Sequence, residues 1–153
     1  MTKLIGYFKS NEEPYLPMPI LMDNNKQYIN GFTDKCKEWL LEYEKSKPIT
    51  NNDGSITIDA SLIIDDRWIE YHGCSECRIC NKNNGSLEYN YCGYRFPIGI
   101  FHYILDHKIK IPTNFQNMIV NEPVLFYKNL KRRSYYENML LINKSCEGLR
   151  YCS

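Results

Sequence analysis

Residues 77–107 decide the predicted fold of this chain, and they read CRICNKNNGSLEYNYCGYRFPIGIFHYILDH. The glycines of Asn84-Gly85 and Gly93 mark tight backbone turns. Between them Ser86–Tyr91 alternates apolar and polar residues, which predicts one strand of a β-hairpin. Pro97 then suits the first turn of a helix, where its missing N–H costs nothing. The stretch therefore predicts a cysteine turn, a hairpin and a helix in that order.

Four side chains at the ends of this stretch have the spacing of metal ligands. Cys77 and Cys80 can present two sulfurs to one ion from a tight turn, and His102 and His107 lie on the predicted helix. Five helical steps separate the two rings by roughly 140° on a straight helix, so the last turn must tighten or fray to bring them together. The pattern Cys-x2-Cys-x21-His-x4-His predicts a structural Zn²⁺ with four protein ligands.

Other ligand sets fit the same residues. Cys74 and Cys77 form an equally spaced pair, and His72 or Cys92 could replace one of the histidines. The competing interpretation is that Cys74 and Cys92 are ordinary core thiols and that His102 is a core histidine with satisfied hydrogen bonds. For Cys74 and Cys92 we favour the core-thiol interpretation.

The stretch also resembles an uncharacterised family of small, mostly bacterial proteins. The resemblance covers about residues 68–120, and it implies Cys77, Cys80, His102 and His107 as the metal ligands. It leaves Cys74 outside the site and implies no activity. Phe96 stands where the family pattern usually has Trp, a change that keeps the packing role. The segments that carry the resemblance are Cys77-Arg78-Ile79-Cys80, Asn84-Gly85-Ser86-Leu87-Glu88, Phe96-Pro97-Ile98-Gly99, His102-Tyr103, His107 and Ile111-Pro112.

Length and composition set the outer limits. The chain has 153 residues, of which 43% are hydrophobic and 24% charged, with a net charge of +1. These values predict one folded domain over residues 1–153 and exclude a highly basic nucleic-acid condenser or a disordered acidic tail. Within it we distinguish a strand, arm and helix part (residues 1–70), a zinc unit (71–120) and a C-terminal extension (121–153).

Cysteine usage and hydropathy predict the compartment. The chain has no run of 18 apolar residues, and residues 1–8 are too short and too polar for a signal peptide. Seven cysteines, three of them clustered, favour metal ligation in a reducing cytoplasm over disulfides. The abundance of Asn, Ile, Lys and Tyr, with Ala60 as the single alanine, indicates an AT-rich genome. A viral source would place the protein in the host cytoplasm.

The N-terminal third predicts a strand, an arm and a helix. Leu4–Phe8 is strand-like. Three prolines keep Glu13–Ile20 extended, and its apolar side chains are expected to pack on the domain. Thr33 is the predicted N-cap of an amphipathic helix that ends before Pro48. Cys36 falls on the apolar stripe of that helix and is interpreted as a buried small hydrophobe.

The middle of the chain predicts further strands. Ser55–Ala60 alternates as a half-buried strand would, and Leu62–Ile64 and Trp68–Tyr71 are also strand-like. The charged triplet Asp65-Asp66-Arg67 between them is interpreted as a solvated turn. After Pro112 the sequence predicts a short helix over Thr113–Val120 with Phe115, Met118 and Ile119 facing inward.

The C-terminal segment carries a weak interaction signal. Lys128, Lys131, Arg132 and Arg133 form a basic patch interleaved with tyrosines, the composition of a single-strand nucleic-acid groove. A solvated charged loop beside aromatic core residues is the favoured interpretation. Met139–Ile142 is interpreted as a buried strand or helix.

These observations predict a small α+β domain that serves as a recognition module with a structural zinc, without membrane association. A protein partner is slightly favoured over nucleic acid. The alternatives are a zinc-dependent hydrolase or nuclease-like enzyme, with Glu76 or Asp106 as general base, and a viral structural or assembly component.

Overall fold

The computed structural model describes residues 2–58, 62–71, 73–91 and 93–127, and these form an α+β fold with three helices and two sheets. The helices are α1 (Phe32–Ser46), α2 (Ile100–His107) and α3 (Thr113–Asn121). The strands are β1 (Lys3–Leu4), β2 (Ile49–Thr50), β3 (Ile56–Thr57), β4 (Trp68–Glu70), β5 (Leu87–Tyr91) and β6 (Tyr94–Pro97). No helix in these ranges has the length and apolar character needed to span a bilayer.

The main sheet has four strands in the order β1-β6-β5-β4. The β5–β6 hairpin at its centre confirms the predicted hairpin, and Gly93 takes the left-handed conformation (φ 86°) in the connection. Alternate residues of this hairpin are buried, so one face of the sheet is strongly aromatic. The buried residues are Leu87, Tyr89, Tyr91, Tyr94 and Phe96.

Trp39 of α1 lies at the centre of the core. Its ring stacks on Phe101 of α2 with centroids 6.0 Å apart, and it meets the edge of Trp68 from β4 at 5.9 Å. Tyr89 and Phe126 complete the surroundings. Offset and edge-to-face aromatic contacts add to the free energy gained by burial. Trp39 therefore ties α1 to both α2 and the sheet, and this fixes the position of the helix that carries the two histidines.

The predicted starts of α1 and α2 are both wrong. Helix α1 begins at Phe32 after Gly31, which has a φ of 86°, and no side chain caps it. Pro97 is the last residue of β6 rather than the first of a helix, and α2 begins at Ile100. Proline is tolerated in the strand because β1 pairs only with Tyr94 and Arg95, so the side of Pro97 away from β5 needs no N–H donor.

The N-terminal predictions overestimate the length of the first strand and the burial of the arm. β1 contains only Lys3–Leu4, since Gly6 turns the chain with a φ of 82°. The arm Glu13–Ile20 leaves Tyr15, Met18 and Ile20 exposed, at 79%, 54% and 65% of their surface. Its backbone bonds instead to the preceding residues, with the Lys9 N–H donating to the Pro17 carbonyl, so the arm folds back as a surface loop.

The segment before β4 also differs from expectation. β2 and β3 form a separate two-stranded sheet, and Ile56 and Ile58 are exposed rather than half-buried. Ile64 makes only an isolated bridge to Tyr127. Asp65 does not lie in a solvated turn, because its side chain is 1% exposed and binds Arg67 at 2.9 Å. β4 and α3 confirm the predicted elements at those positions, and Phe115, Met118 and Ile119 are buried as expected.

Several predictions fall outside the described residues. They concern the basic patch (Lys128, Lys131, Arg132 and Arg133), the segment Met139–Ile142, Ala60, and the alternative ligands His72 and Cys92. The assignment of residues 1–153 to a single domain with three parts likewise stays a prediction.

We predict that Trp39→Ala destabilises the fold by about 3–5 kcal/mol, because it removes the side chain that joins α1, α2 and the sheet and leaves a large cavity. Urea unfolding followed by circular dichroism measures the change. Leu41→Ala is the matched control on the same helix, since Leu41 is 62% exposed and should cost well under 1 kcal/mol. Equal losses for the two variants would contradict the central role of Trp39.

Candidate metal centre

The structure brings the four predicted ligands together. Donor atoms of Cys77, Cys80, His102 and His107 all lie within 4.8 Å of one another. Cys77 and His102 are buried, His107 is half-buried and Cys80 is exposed, so the group lies just below the surface. The two cysteines precede the β5–β6 hairpin, and the histidines lie on the helix that follows it. The hairpin between them therefore positions the two pairs.

A tight turn over residues 77–82, called here the cysteine turn, orients the sulfurs. The Cys77 N–H donates to the Lys82 carbonyl at 2.8 Å, and the Asn81 N–H donates to the Cys77 carbonyl at 2.9 Å. Asn81 takes a left-handed conformation (φ 62°) to close it, which asparagine tolerates better than most residues. The N–H groups of Ile79 and Cys80 point at the Cys77 sulfur, at 3.4 and 3.5 Å. These backbone contacts hold the Cys77 sulfur in a fixed direction.

Tyr103 links helix α2 to the cysteine turn. Its hydroxyl accepts a hydrogen bond from the Arg78 N–H at 2.7 Å and contacts the Cys77 side chain. Burial raises the pKa of Tyr103, so the phenol keeps its proton and can donate it to the sulfur. The edge of the Phe8 ring covers Tyr103 with centroids 4.8 Å apart. Tyr103 therefore connects helix α2 directly to Cys77 and its turn.

His102 is held by a carboxylate on its own helix. Its Nδ1 lies 2.8 Å from Oδ2 of Asp106, while its Nε2 lies 3.3 Å from Sγ of Cys80. A proton on Nδ1, donated to the carboxylate, leaves the lone pair of Nε2 directed at the sulfurs. Burial lowers the pKa of His102, which also favours the neutral, ligating ring.

His107 has a ring nitrogen that the described residues leave without a partner. Its Nε2 is buried and makes no hydrogen bond within those ranges, and its ring stands perpendicular to that of His102 with centroids 5.0 Å apart. The helix ends at this residue. Lys108 takes the left-handed conformation, and the N–H groups of Lys108 and Ile109 return to Ile104 and Tyr103 in a Schellman-type turn. A buried ring nitrogen without a hydrogen-bond partner, in a residue grouped with two cysteines, is the environment that a metal ligand requires.

Two glycines allow the loop after the cysteine turn to pack closely against α1 and the start of α2. A Cβ at Gly99, just before α2, would lie 2.6 Å from the Cβ of Asn84. A Cβ at Gly85 would lie 2.5 Å from the Tyr43 hydroxyl, and Gly85 has a φ of 84°. Both contacts are too short for any larger residue without displacement. The Asn84-Gly85 and Ile98-Gly99 pairs therefore belong to the packing of the site as well as to its turns.

Two further cysteines lie in the described ranges, and one of them is placed differently from expectation. Cys74 is exposed and outside the four-residue cluster, so its interpretation as a core thiol is wrong. Cys36 is fully buried, as predicted, and burial raises the pKa of its thiol. Sequence reasoning missed the roles of Tyr103 and Asp106 in orienting the ligands. The signal was present, because Asp106 lies four residues after His102, one helical turn away.

The donor set limits which ions the site would hold. Two thiolates and two imidazoles are soft to borderline ligands, whereas magnesium and calcium take oxygen ligands. Within the described ranges His107 Nε2 has no hydrogen-bond partner, and two N–H groups point at Cys77, so these residues fit a bound metal. The geometry therefore supports a metal-binding centre of the Cys2His2 type.

No protein-family model matches the chain, and no curated protein or solved structure is significantly similar to it. The resemblance described from the motifs therefore stays an expectation.

We predict that Asp106→Asn lowers the affinity of the centre for a divalent metal about 10- to 100-fold, because the amide no longer accepts the His102 Nδ1 proton strongly. Titration with Co²⁺, whose visible spectrum reports thiolate ligation, measures the change. Asp23→Asn is the control, since Asp23 is exposed and outside the cluster. Unchanged affinity in Asp106→Asn would show that the carboxylate does not orient His102.

Proposed function

We propose that the centre binds one structural Zn²⁺ and that the protein is a recognition module whose fold the zinc supports. The observation that carries this proposal is the convergence of four N/S donors within 4.8 Å. Zinc prefers this donor set in tetrahedral geometry, and structural sites fill all four positions with protein ligands. Because the ligands come from the cysteine turn and from both ends of α2, one ion would lock together elements distant in the chain.

The same arrangement argues for support rather than catalysis. A hydrolytic zinc needs an open position for water and a general base beside it. Four protein ligands leave no such position. Of the two bases considered, Asp106 is engaged with His102, and Glu76 lies outside the cluster of four. A non-enzymatic module that binds a protein or a nucleic acid is therefore the function we favour.

The proposed zinc ligands also indicate a cellular compartment. Cys80 is exposed, and an exposed thiol stays available to zinc only where thiols are kept reduced. We therefore place the protein in a reducing compartment such as the cytoplasm.

We predict that Cys77→Ser removes the zinc and most of the folding stability, because binding free energy at a structural zinc site is folding free energy. Elemental mass spectrometry of the purified chain should give one zinc per molecule, and thermal melting with and without a chelator should show a large loss on chelation. Cys74→Ser is the matched control, because it removes the exposed cysteine three residues earlier and should keep both zinc and melting temperature.

Three outcomes would contradict the proposal. If the wild-type protein were purified without metal and still melted cooperatively, the fold would not depend on zinc. Loss of zinc in Cys74→Ser would move the site to the alternative cysteine pair. A folded Cys77→Ser variant that loses only a hydrolytic activity would identify a catalytic metal instead.

A further inference from the structure

Two cavities adjoin along the interface between α1 and α2. The first, of about 690 Å³, lies beside the segment 22–31, and the second, of about 660 Å³, lies beside the loop 82–86. Lys37 of α1 and Leu105 of α2 line both cavities, so the two lie next to each other at these residues. The two neighbouring cavities are together called here the α1–α2 groove.

The groove concentrates positive charge. Lys26, Lys37, Lys47, Lys82 and Lys108 line it, against two carboxylates, an excess of three positive charges in a chain whose net charge is +1. Both carboxylates already have partners, since Glu44 binds Lys47 at 3.0 Å and Asp106 binds His102 at 2.8 Å. The other four lysines make no ion pair with any described residue. Their charges are therefore available to an anionic ligand.

The second cavity also holds an unpartnered amide. Asn84 is 8% exposed, and its Oδ1 is buried without a hydrogen-bond partner among the described residues. The ring of Tyr43 lines the same cavity, with Lys47 Nζ 4.7 Å from its centroid over one face. A side-chain amide can hydrogen-bond the edge of a nucleobase, and an aromatic ring offers a stacking surface. The stacking surface is of little use to a ligand that carries only carboxylates.

We propose that the α1–α2 groove binds single-stranded nucleic acid. Lys26, Lys37, Lys82 and Lys108 contact phosphates of the strand, and an unstacked base enters the second cavity beside Asn84 and Tyr43. A single strand is required because the edges of paired bases are inaccessible to a pocket of this kind. The inference rests on the proposed function, since it names the partner of that module. The metal centre would then support the binding site, because His102 and Asp106 form part of the wall of the second cavity.

Fluorescence anisotropy of the full zinc-loaded chain with labelled 12-nucleotide RNA and DNA strands tests the proposal. Single strands should bind more tightly than the matching duplex and than polyglutamate of equal charge. With four phosphate contacts, log K should fall against log salt with a slope of about −3. The double variant Lys37→Gln/Lys82→Gln should weaken binding at least tenfold and reduce the slope to about −1.5.

Two control variants locate the site. Lys45→Gln removes a charge from α1 outside the groove and should bind like wild type. Lys131→Gln/Arg132→Gln removes charge from the predicted C-terminal basic patch and should keep the slope near −3. The site would lie elsewhere if the groove variant bound normally or if the C-terminal variant lost binding. An acidic protein would be the partner if polyglutamate bound as tightly as the single strands.

Zinc content separates the two proposals. A folded chain with one zinc that binds no strand would refute the nucleic-acid inference and leave the zinc-supported module intact. A metal-free chain that is stable would refute the proposed function, and the inference would fall with it.

Discussion

Helix α2 is buried over five consecutive residues, Ile100–Ile104, and this burial is the constraint on which the rest of the structure depends. A helix covered on so many sides cannot turn its polar side chains to water, so each must find a partner within the protein. Tyr103 is hydrogen-bonded to the cysteine turn, and His102 contacts Asp106 and Cys80. The apolar residues of the same helix meet Trp39 and the aromatic face of the sheet. The polar and apolar faces of one short helix thus specify both the core and the candidate metal centre.

The ligands of that centre could be predicted from the sequence because each pair is local. Cys77 and Cys80 share one turn, and His102 and His107 share one helix, so their spacing along the chain nearly fixes their spacing in space. The supporting contacts could not be predicted in the same way. Tyr103 reaches Cys77 only because the hairpin folds the helix back over the cysteine turn, a tertiary event with no local signature. Asp106 is the intermediate case: its position one helical turn from His102 was visible, but the sequence did not show that it orients that ring rather than acting as a base.

The fold class and most helices were also predictable, whereas burial outside the central hairpin was not. Alternation identifies a strand, but it does not say whether another layer covers the apolar side. Ile56 and Ile58 alternate correctly and remain exposed, because their two-stranded sheet stands apart from the main one. Asp65 shows the opposite error. A charged triplet suggests solvent, yet a bidentate contact with Arg67 allows that carboxylate to be buried.

The parallel pairing of β1 with β6 has a consequence for how the chain folds. Lys3 pairs with Tyr94, and α1 packs against α2 and α3, so the contacts of the N-terminal part lie far along the sequence. Long-range contacts of this kind require the loop-closure entropy to be overcome before they give any stabilisation, and they slow folding. The contacts within the β5–β6 hairpin and between this hairpin and α2 span the shortest stretches of sequence. We therefore expect folding to start there. During synthesis Trp39 and its apolar neighbours therefore stay exposed to solvent until the second half of the chain has emerged from the ribosome.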